Sequence, residues 1–345
     1  MSERPGEEAG IRPADLKAEL AIHLDRDRKR WLAGRRGWVG VPCPACGGDD
    51  HESFTVRDYP FATCSGCGTV YQNPRPTSAL LAEYYASAES YTFWAERIFP
   101  ATEECRRETI ARPLARMVAD AAAGAGAGRN VLVEIGAGAG LFLDEMRTIG
   151  RYETILAVEP TPALAAVLRR REFEVVESDY ETAEMPELRA DLVCAFEVIE
   201  HLFDPAAFLG HARRWLVPGG ILAVSCPNIH GFDFQVLGLD RAENFGLEHI
   251  NMFHPGSLGG LLTRCGFEIL ETRTPGRLDA DLVRQQALAG KLDLSRDPFL
   301  RRILIEEWES LGGPFQQFLQ DNLMSSNMLL IARSVPVSPD GDSDP

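Results

Sequence analysis

The chain has 345 residues, of which 45% are hydrophobic and 25% are charged, a composition typical of a globular protein with a large core and room for two folded units. Its net charge of −16 argues against nucleic acid partners, because proteins bind phosphate backbones by neutralising them with Lys and Arg. No apolar run approaches the roughly 18 residues of a membrane span, and the acidic N-terminus is unlike a targeting peptide, so we expect no membrane contact and a cytoplasmic location.

The first 128 residues divide into three predicted segments. Residues 1–37 form a helical extension, in which leucines repeat every four residues. Residues 38–77 are rich in turns and cysteines and are predicted to form a small domain of their own. Residues 78–128 form a helical segment that contributes to a substrate pocket and ends in the flexible run GAGAG.

Four cysteines in the second of these segments have the spacing C-x2-C-x17-C-x2-C: Cys43, Cys46, Cys64 and Cys67. Each C-x2-C knuckle directs two thiolates at one point, and four thiolates in a tetrahedron suit Zn(II). Such a set leaves no coordination position open. The spacing therefore predicts a structural zinc in a zinc-ribbon domain, and the other four cysteines are expected to pack in the core.

From residue 129 to residue 335, short apolar runs alternate with segments of helical spacing. The runs are rich in Val, Ile and Leu, which predicts a parallel sheet with helices on both faces. We predict an α/β, Rossmann-like, doubly wound sheet of seven strands, mostly parallel, with residues 275–324 as a helical insertion between the last two strands. The tail 336–345 is predicted to be disordered.

The run VLVEIGAGAGLFLDEM predicts a strand, a glycine turn and a helix. Gly136, Gly138 and Gly140 would let the backbone turn sharply and let a ligand approach it closely. A dinucleotide fingerprint needs a further glycine where this chain has Leu141, so NAD is disfavoured. Glu159 ends the next predicted strand, where a carboxylate can accept the hydroxyls of a ribose.

The motifs VEIGAGAG, AVEP, ESDYE, FEVIEH and VPGGILAVSCPN, in this order, resemble those of class I S-adenosylmethionine-dependent methyltransferases. The four-cysteine segment, together with VYQNPRP and EYY after it, is similar to a subgroup of these methyltransferases. That subgroup has a zinc-ribbon front end and includes sugar C-methyltransferases. The resemblance implies S-adenosylmethionine as the cofactor. The implied cofactor-binding residues are Glu134, Gly136, Ala137, Gly138, Glu159, Pro160, Asp179, Tyr180, Phe196 and Glu197.

Within that set the resemblance assigns separate roles. Glu134 and the glycine turn would hold the methionine end, Glu159 the ribose, and Asp179 with Tyr180 the adenine edge. Two alternatives stay open, since Asp179 could cap a helix and Tyr180 could pack in the core.

Two Glu-His pairs, Glu200–His201 and Glu248–His249, follow predicted strands. Ligands bind at the carboxyl ends of strands in such sheets, so both pairs are expected to face one cleft. Methyl transfer requires alignment of the reactants and removal of a proton from the acceptor. The resemblance implies that His249 is the base and Glu248 its orienting carboxylate, with His201 in support. A structural hydrogen bond for His249, and a capping role for His254, are open alternatives.

A divalent cation such as Mg(II) is the competing interpretation. Glu197, Glu200 and His201 are closely spaced and could chelate the cation together with His249, as in some class I O-methyltransferases that this segment resembles, ubiquinone-pathway enzymes among them. A metal would acidify an acceptor hydroxyl directly.

We expect a small polar acceptor, a sugar or nucleotide-sugar of a biosynthetic pathway, enclosed between the front segments and the sheet. Tyr84, Tyr85, Tyr91 and Trp94 are candidate contacts that core packing would also explain, and Arg75 could meet a phosphate. An RNA methyltransferase and a non-catalytic S-adenosylmethionine-binding scaffold are further alternatives, and the net charge argues against the first. The sequence motifs specify neither which atom of the acceptor is methylated nor the oligomeric state of the protein.

Overall fold

The structure is a computed structural model, which describes residues 10–11, 13–32, 35, 37–183, 185, 187–239 and 248–335. The predicted disordered tail lies outside the described residues, as do the first nine residues of the predicted N-terminal extension. Helix α1, Ala14–Leu32, falls within that extension. No helix in the described ranges combines the length and apolar character that crossing a membrane requires.

A small antiparallel sheet follows α1. Strands β2 (His51–Val56), β3 (Tyr59–Cys64) and β4 (Val70–Gln72) are neighbours in sequence and in space. The sheet gains a further strand, β11 (Asn251–Met252), from the second half of the chain, with Asn251 opposite Tyr71. A separate pair of two-residue strands, β1 (Trp38–Val39) and β5 (Arg75–Pro76), flanks it. Residues 38–77, called the cysteine block below, therefore share one sheet with the second half of the chain.

Helices fill the segment that follows. Their bounds are α2 Ser78–Ser87, α3 Glu89–Phe93, α4 Phe99–Arg106 and α5 Arg112–Gly124, with π-helical turns at Trp94–Ile98 and Arg107–Ala111. Asp27 of α1 is buried and accepts hydrogen bonds from the backbone N–H groups of Glu89 (3.2 Å) and Ser90 (2.9 Å). Because these are the first N–H groups of α3, which lack partners within the helix, α1 caps α3 from outside.

The large sheet has seven strands: β6 Val131–Ile135, β7 Thr154–Val158, β8 Glu174–Val176, β9 Ala190–Phe196, β10 Leu216–Pro227, β12 Phe267–Arg273 and β13 Asn327–Ser334. Their spatial order is β12-β13-β10-β9-β6-β7-β8. Strand β13 is antiparallel to both of its neighbours, and the other pairings are parallel. This is the doubly wound order 3-2-1-4-5-6 with one antiparallel strand inserted, so the predicted Rossmann-like sheet is confirmed.

Helices cover both faces of this sheet: α6 Leu141–Ile149, α7 Pro162–Arg170, α8 Pro205–Trp215 and α10 Pro255–Arg264, while α9 Phe232–Leu237 packs against the helical insertion. Successive residues of a strand point to opposite faces, so Leu132 and Val133 of β6 belong to two different hydrophobic clusters. Both are fully buried, as expected for a central strand covered on two sides.

A helical insertion separates β12 from β13. It contains α11 Asp279–Leu288, α12 Pro298–Arg301, a π-helical turn Arg302–Glu306 and α13 Trp308–Asp321. The buried carboxylate of Asp279 accepts hydrogen bonds from Gln316 (2.7 Å) and Ser325 (2.5 Å). These bonds attach α11 to α13 and to the residues just before β13.

Candidate active site

The glycine turn between β6 and α6 lies at the carboxyl end of the central strand. Gly136, Gly138 and Gly140 have φ of +72°, +55° and +78°, in the left-handed region that favours glycine. A Cβ on Gly136 would lie 2.6 Å from Val198, and one on Gly140 would lie 2.7 Å from Leu168. A Cβ on Gly138 would meet no atom of the described residues within 4 Å. Gly138 is thus the glycine that leaves its backbone open to a ligand.

Glu159, directly after β7, faces the same turn. Its carboxylate accepts hydrogen bonds from the backbone N–H groups of Gly138 and Thr161, both at 2.9 Å. The side chain is buried, and burial raises its pKa, while these hydrogen bonds act in the opposite direction. The structure therefore brings the predicted ribose-binding carboxylate to the predicted glycine turn.

Glu134 lies in the penultimate position of β6. Its side chain is buried, and Oε2 has no hydrogen-bond partner among the described residues. Burial, followed by the nearby charge of Glu159, raises the pKa of Glu134 well above its ordinary value. A buried carboxylate without a donor is costly, and the ammonium group of S-adenosylmethionine is a donor of the right charge. With Gly138 open and Glu159 adjacent, the residues present fit the cofactor.

The predicted adenine-binding residues have local partners instead. Asp179 is exposed, and its Oδ1 accepts hydrogen bonds from the N–H and hydroxyl groups of Thr182, both at 2.8 Å. Tyr180 is buried with its ring 5.1 Å from that of Phe208 and 5.6 Å from that of His211. The Asp179 contacts stabilise a turn rather than a helix N-terminus, and the Tyr180 contacts are the core packing that the sequence left as an alternative. An adenine-binding role for either side chain stays a prediction.

The remaining predicted cofactor residues lie around the same strand ends. Phe196, the last residue of β9, packs edge-to-face on Phe142 of α6 with ring centroids 4.6 Å apart. Ala137 is buried within the glycine turn, and Pro160 is exposed immediately after Glu159.

The two Glu-His pairs meet. Glu200 and His201 lie on a 3₁₀ turn, Ile199–His201, just after β9, while His249 lies just before β11. One ligand atom from each of Glu200, His201 and His249 lies within 4.8 Å of the others. The two imidazole rings are perpendicular, with centroids 4.8 Å apart. The expectation that both pairs face one site therefore fits the geometry.

His201 is held as a neutral ring. Its Nδ1 lies 2.8 Å from the carbonyl oxygen of Glu248 and 3.0 Å from the hydroxyl oxygen of Tyr85. A carbonyl can only accept, so we assign the proton to Nδ1, which leaves a lone pair on Nε2. Burial lowers the pKa of His201 to about 4, so the ring is uncharged at neutral pH.

Glu200 is the least satisfied side chain of this cluster. It is 1% exposed, and neither carboxylate oxygen has a hydrogen-bond partner among the described residues. Oε1 lies 3.6 Å from Nε2 of His201, too far for a good hydrogen bond. Burial, with the charge of Glu197 as a second cause, raises the pKa of Glu200 well above its ordinary value.

Glu248 and Glu197 have hydrogen-bond partners that the sequence did not predict. The hydroxyl of Tyr84 donates a hydrogen bond of 2.7 Å to the Glu248 carboxylate, which therefore has a partner other than the predicted His249. Glu197 is exposed, with φ of +56°, and its Oε1 accepts hydrogen bonds from Ser225 and Asn327, both at 2.8 Å. Among the described residues, the possible metal-binding cluster includes three of the four predicted ligands and not Glu197.

Three tyrosines of the helical segment connect the two halves of the site. The rings of Tyr84 and Tyr85 are 5.4 Å apart, and those of Tyr85 and Tyr91 are 5.6 Å apart. Burial, followed by the nearby charge of the Glu159 carboxylate, raises the pKa of Tyr91 to about 12, so Tyr91 lies near the carboxylate predicted to bind the ribose. Trp94, the fourth candidate, packs instead on Phe99, with ring centroids 5.3 Å apart.

The four predicted zinc ligands converge. Their sulfur atoms lie within 4.8 Å of one another, with 3.5 Å between Cys43 and Cys67 and 3.4 Å between Cys46 and Cys64. Both knuckles have the same backbone pattern, since Gly47 N–H donates to Cys43 and Gly68 N–H donates to the carbonyl of Cys64. Four cysteines in this arrangement fit a tetrahedral zinc ion.

Two further side chains have structural roles. His254 caps α10, where its Nδ1 accepts a hydrogen bond from Ser257 N–H (3.4 Å), and its Nε2 lies 2.8 Å from the carbonyl oxygen of Cys67. The predicted phosphate contact of Arg75 is wrong, because Arg75 is 1% exposed and donates to Phe203 and Asn251. The local sequence around Arg75, QNPRP, gives no indication that this side chain is buried.

Comparisons with known proteins agree with this geometry. Residues 103–272 match the family model described as a methyltransferase domain. A "Probable S-adenosylmethionine-dependent methyltransferase" of Mycolicibacterium smegmatis is 32% identical over 147 residues, which are 42% of this chain and 54% of the relative. A ubiquinone biosynthesis O-methyltransferase of Bradyrhizobium sp. is 34% identical over 28% of this chain and 40% of the relative. The chain thus spans about half the length of these curated relatives.

Among solved structures, the plantazolicin methyltransferase BpumL in complex with SAH matches 74% of this chain and 94% of its own, with 10% identity and a TM-score of 0.48. The family match shows a methyltransferase domain over residues 103–272, and the sheet order is the doubly wound order predicted for a class I S-adenosylmethionine-dependent methyltransferase. That part of the sequence prediction is confirmed. The zinc-ribbon and sugar C-methyltransferase resemblances stay predictions.

Proposed function

We propose that this protein transfers a methyl group from S-adenosylmethionine to a small polar metabolite, a sugar being the favoured acceptor, with His249 as the general base. The observation that carries the proposal is the meeting of Glu200, His201 and His249 within 4.8 Å at the edge of the sheet that also holds the glycine turn. A proton acceptor and a cofactor site then share one cleft, as a displacement reaction requires.

When bound, S-adenosylmethionine supplies an electrophilic methyl group on a positively charged sulfur. Transfer of this methyl group to the acceptor atom would break the carbon–sulfur bond and release the cofactor as its neutral thioether. His249 takes the proton that the acceptor loses. His201 stays neutral beside it, because burial lowers its pKa to about 4, so no second positive charge opposes protonation of His249.

The tyrosine segment supports a neutral, hydroxylated acceptor. Burial is the main cause that raises the pKa of Tyr85 and Tyr91, so both have uncharged hydroxyl groups beside their ring faces, while Tyr84 is buried and its hydroxyl donates to Glu248. Ring faces beside hydroxyl groups suit a sugar ring, which has both apolar and polar surface. The sequence argument for a nucleotide-sugar was a phosphate contact by Arg75. Because Arg75 is buried, it cannot meet a phosphate. The net charge of −16 argues against RNA.

A metal-dependent O-methyltransferase is the second candidate function. It is favoured by Glu200, a buried carboxylate without a hydrogen-bond partner among the described residues, with two histidines in ligand range. Two histidines and one carboxylate form a metal-binding set that leaves positions open for a substrate. A divalent cation there would acidify an acceptor hydroxyl and make His249 a ligand rather than the base.

A mass-shift screen separates these candidates. Purified protein is incubated with S-adenosylmethionine and metabolite fractions, with and without EDTA, and products heavier by one methylene are sought by mass spectrometry. A product in both conditions supports His249 as the base. A product that EDTA removes and Mg(II) restores supports the metal. If the cofactor binds but no fraction ever consumes it, the scaffold alternative replaces both.

A further inference from the structure

Two buried side chains outside the cluster of Glu200, His201 and His249 form a hydrogen-bonded pair next to the turn that carries Glu200 and His201. Asn251 of β11 is fully buried, and its Nδ2 donates to the carbonyl oxygens of Leu202 (2.7 Å) and Ile199 (3.2 Å), with that of Glu200 at 3.4 Å. The backbone N–H of Ile250 donates to the same Glu200 carbonyl at 3.0 Å. One amide group thus binds both ends of the turn that carries Glu200 and His201.

Arg75 fixes that amide from the other side. Its Nη1 donates to Oδ1 of Asn251 (3.0 Å) and to the carbonyl oxygen of Phe203 (3.2 Å). The donation to Oδ1 leaves Nδ2 as the end of the Asn251 amide that faces the turn, so the orientation of the amide is determined. Arg75 belongs to β5, and Asn251 pairs with Tyr71 of β4, so both contacts extend from the cysteine block.

Burying the Arg75 guanidinium costs more free energy than a merely structural contact would require. Arg75 is 1% exposed, its hydrogen bonds go to neutral oxygens, and its Nε has no partner among the described residues. Removing a guanidinium from water costs free energy that two neutral acceptors offset only in part. Burial lowers the pKa of Arg75 to about 10, which still leaves it charged at neutral pH.

We propose that Arg75 and Asn251 are positioning residues, through which the cysteine block holds the Ile199–His201 turn so that Glu200 and His201 face His249. Neither side chain acts on the acceptor itself. The inference rests on the proposed function for its catalytic consequence, and on geometry alone for the placement of His201.

Asn251→Ala tests the proposal, with Asn228→Ala as the matched control. Asn228 is also fully buried, and its amide donates to the carbonyl oxygens of Leu323 (3.2 Å) and Ser325 (2.9 Å), between α13 and β13. Each variant deletes a buried amide that binds loop carbonyls, so both should lower the melting temperature. Any further difference between the two variants, in the measurements described next, reports on the Ile199–His201 turn.

Two measurements follow the turn: the ¹⁵N imidazole spectrum of His201 as a function of pH, and the turnover rate at saturating S-adenosylmethionine. In Asn251→Ala the His201 midpoint should move up from about 4 toward its ordinary value as water enters, and turnover should fall about 10²-fold. The affinity for S-adenosylhomocysteine should change less than about twofold, because the glycine turn is not touched. Asn228→Ala should leave the His201 midpoint in place.

An unchanged His201 midpoint together with wild-type turnover in Asn251→Ala would overturn the proposal. If Asn251→Ala does not fold, Arg75→Lys decides in its place, since it keeps the charge and one donor and should shift both readouts in the same direction by less. A wild-type protein that transfers no methyl group would contradict the proposed function instead, and the His201 spectrum would still accept or reject the placement.

Discussion

Nδ1 of His201 and the carbonyl oxygen of Glu248 lie 2.8 Å apart, across 47 positions of sequence. This contact brings together two Glu-His pairs that follow different strands, and it fixes which imidazole nitrogen carries the proton. Burial keeps the His201 ring neutral, so its lone pair lies on Nε2, on the side where Glu200 and His249 lie. The chemistry proposed for the site depends on this arrangement.

Gly138→Ala should weaken the binding of S-adenosylhomocysteine about tenfold or more while the chain stays folded. The new methyl group would enter open space where the cofactor is expected, and the φ of +55° adds strain of about 1–2 kcal/mol. Calorimetric titration measures the affinity. Gly126→Ala is the matched control, because its φ is +73° and its Cβ also meets nothing within 4 Å of the described residues, far from the site. Equal effects of the two substitutions would contradict the assigned role.

Gly136 is a poorer test of the same turn. A Cβ there would lie 2.6 Å from Val198, so a substitution would disturb packing as well as ligand binding.

Metal analysis of protein purified without a chelator should find about one zinc ion per chain, as a single four-thiolate site requires. The double substitution Cys43→Ser with Cys46→Ser should remove the zinc and lower the melting temperature, because metal binding stabilises the folded state. The control is Cys105→Ser with Cys265→Ser, which changes two cysteines outside the cluster. Zinc-free wild-type protein, or equal zinc loss in both double variants, would show that the zinc prediction is wrong.

Stability should depend on pH through His201. The folded-state pKa of His201, about 4, lies below its ordinary value of 6.5. The unfolded chain therefore binds a proton first, and the contribution of the neutral ring is complete above pH 6.5 and lost as the pH falls from there toward 4. His201→Asn keeps an N–H donor but has no proton to gain. Urea unfolding from pH 7 to pH 5 should show a smaller loss in this variant than in wild type.

The raised pKa values of Glu134, Glu200 and Glu248 act in the opposite direction as pH falls, so the difference between the two proteins is the informative quantity. Parallel stability curves would mean that His201 is not held neutral.

Tyr85→Phe should reduce turnover about five- to tenfold, because the hydroxyl group 3.0 Å from Nδ1 of His201 is lost and a net hydrogen bond contributes about 1 kcal/mol. Steady-state assays at saturating cofactor measure the effect. Tyr152→Phe, which removes a hydroxyl group elsewhere in the core, serves as the control. Comparable losses in both variants would point to stability rather than to the site.

The sequence predicted the large sheet well, because its strands are continuous apolar runs that only a two-sided core explains. The convergence of the four cysteines could be predicted equally well, since the C-x2-C spacing is typical of metal-binding knuckles. Pairing of β4 with β11 could not be predicted, because a two-residue strand such as Asn251–Met252 has no pattern of its own. The burial of Arg75 and the bond between Tyr84 and Glu248 depend on that pairing and on the helical segment. Short local patterns indicate neither.

Calorimetric titration of S-adenosylhomocysteine into the wild-type protein tests the central claim most directly. The account predicts saturable binding at one site per chain, weakened by Gly138→Ala and by Glu159→Ala, which removes the carboxylate that binds Gly138 N–H. Absence of saturable binding to folded wild-type protein would contradict it, since neither the glycine turn nor the Glu-His cluster could then serve methyl transfer.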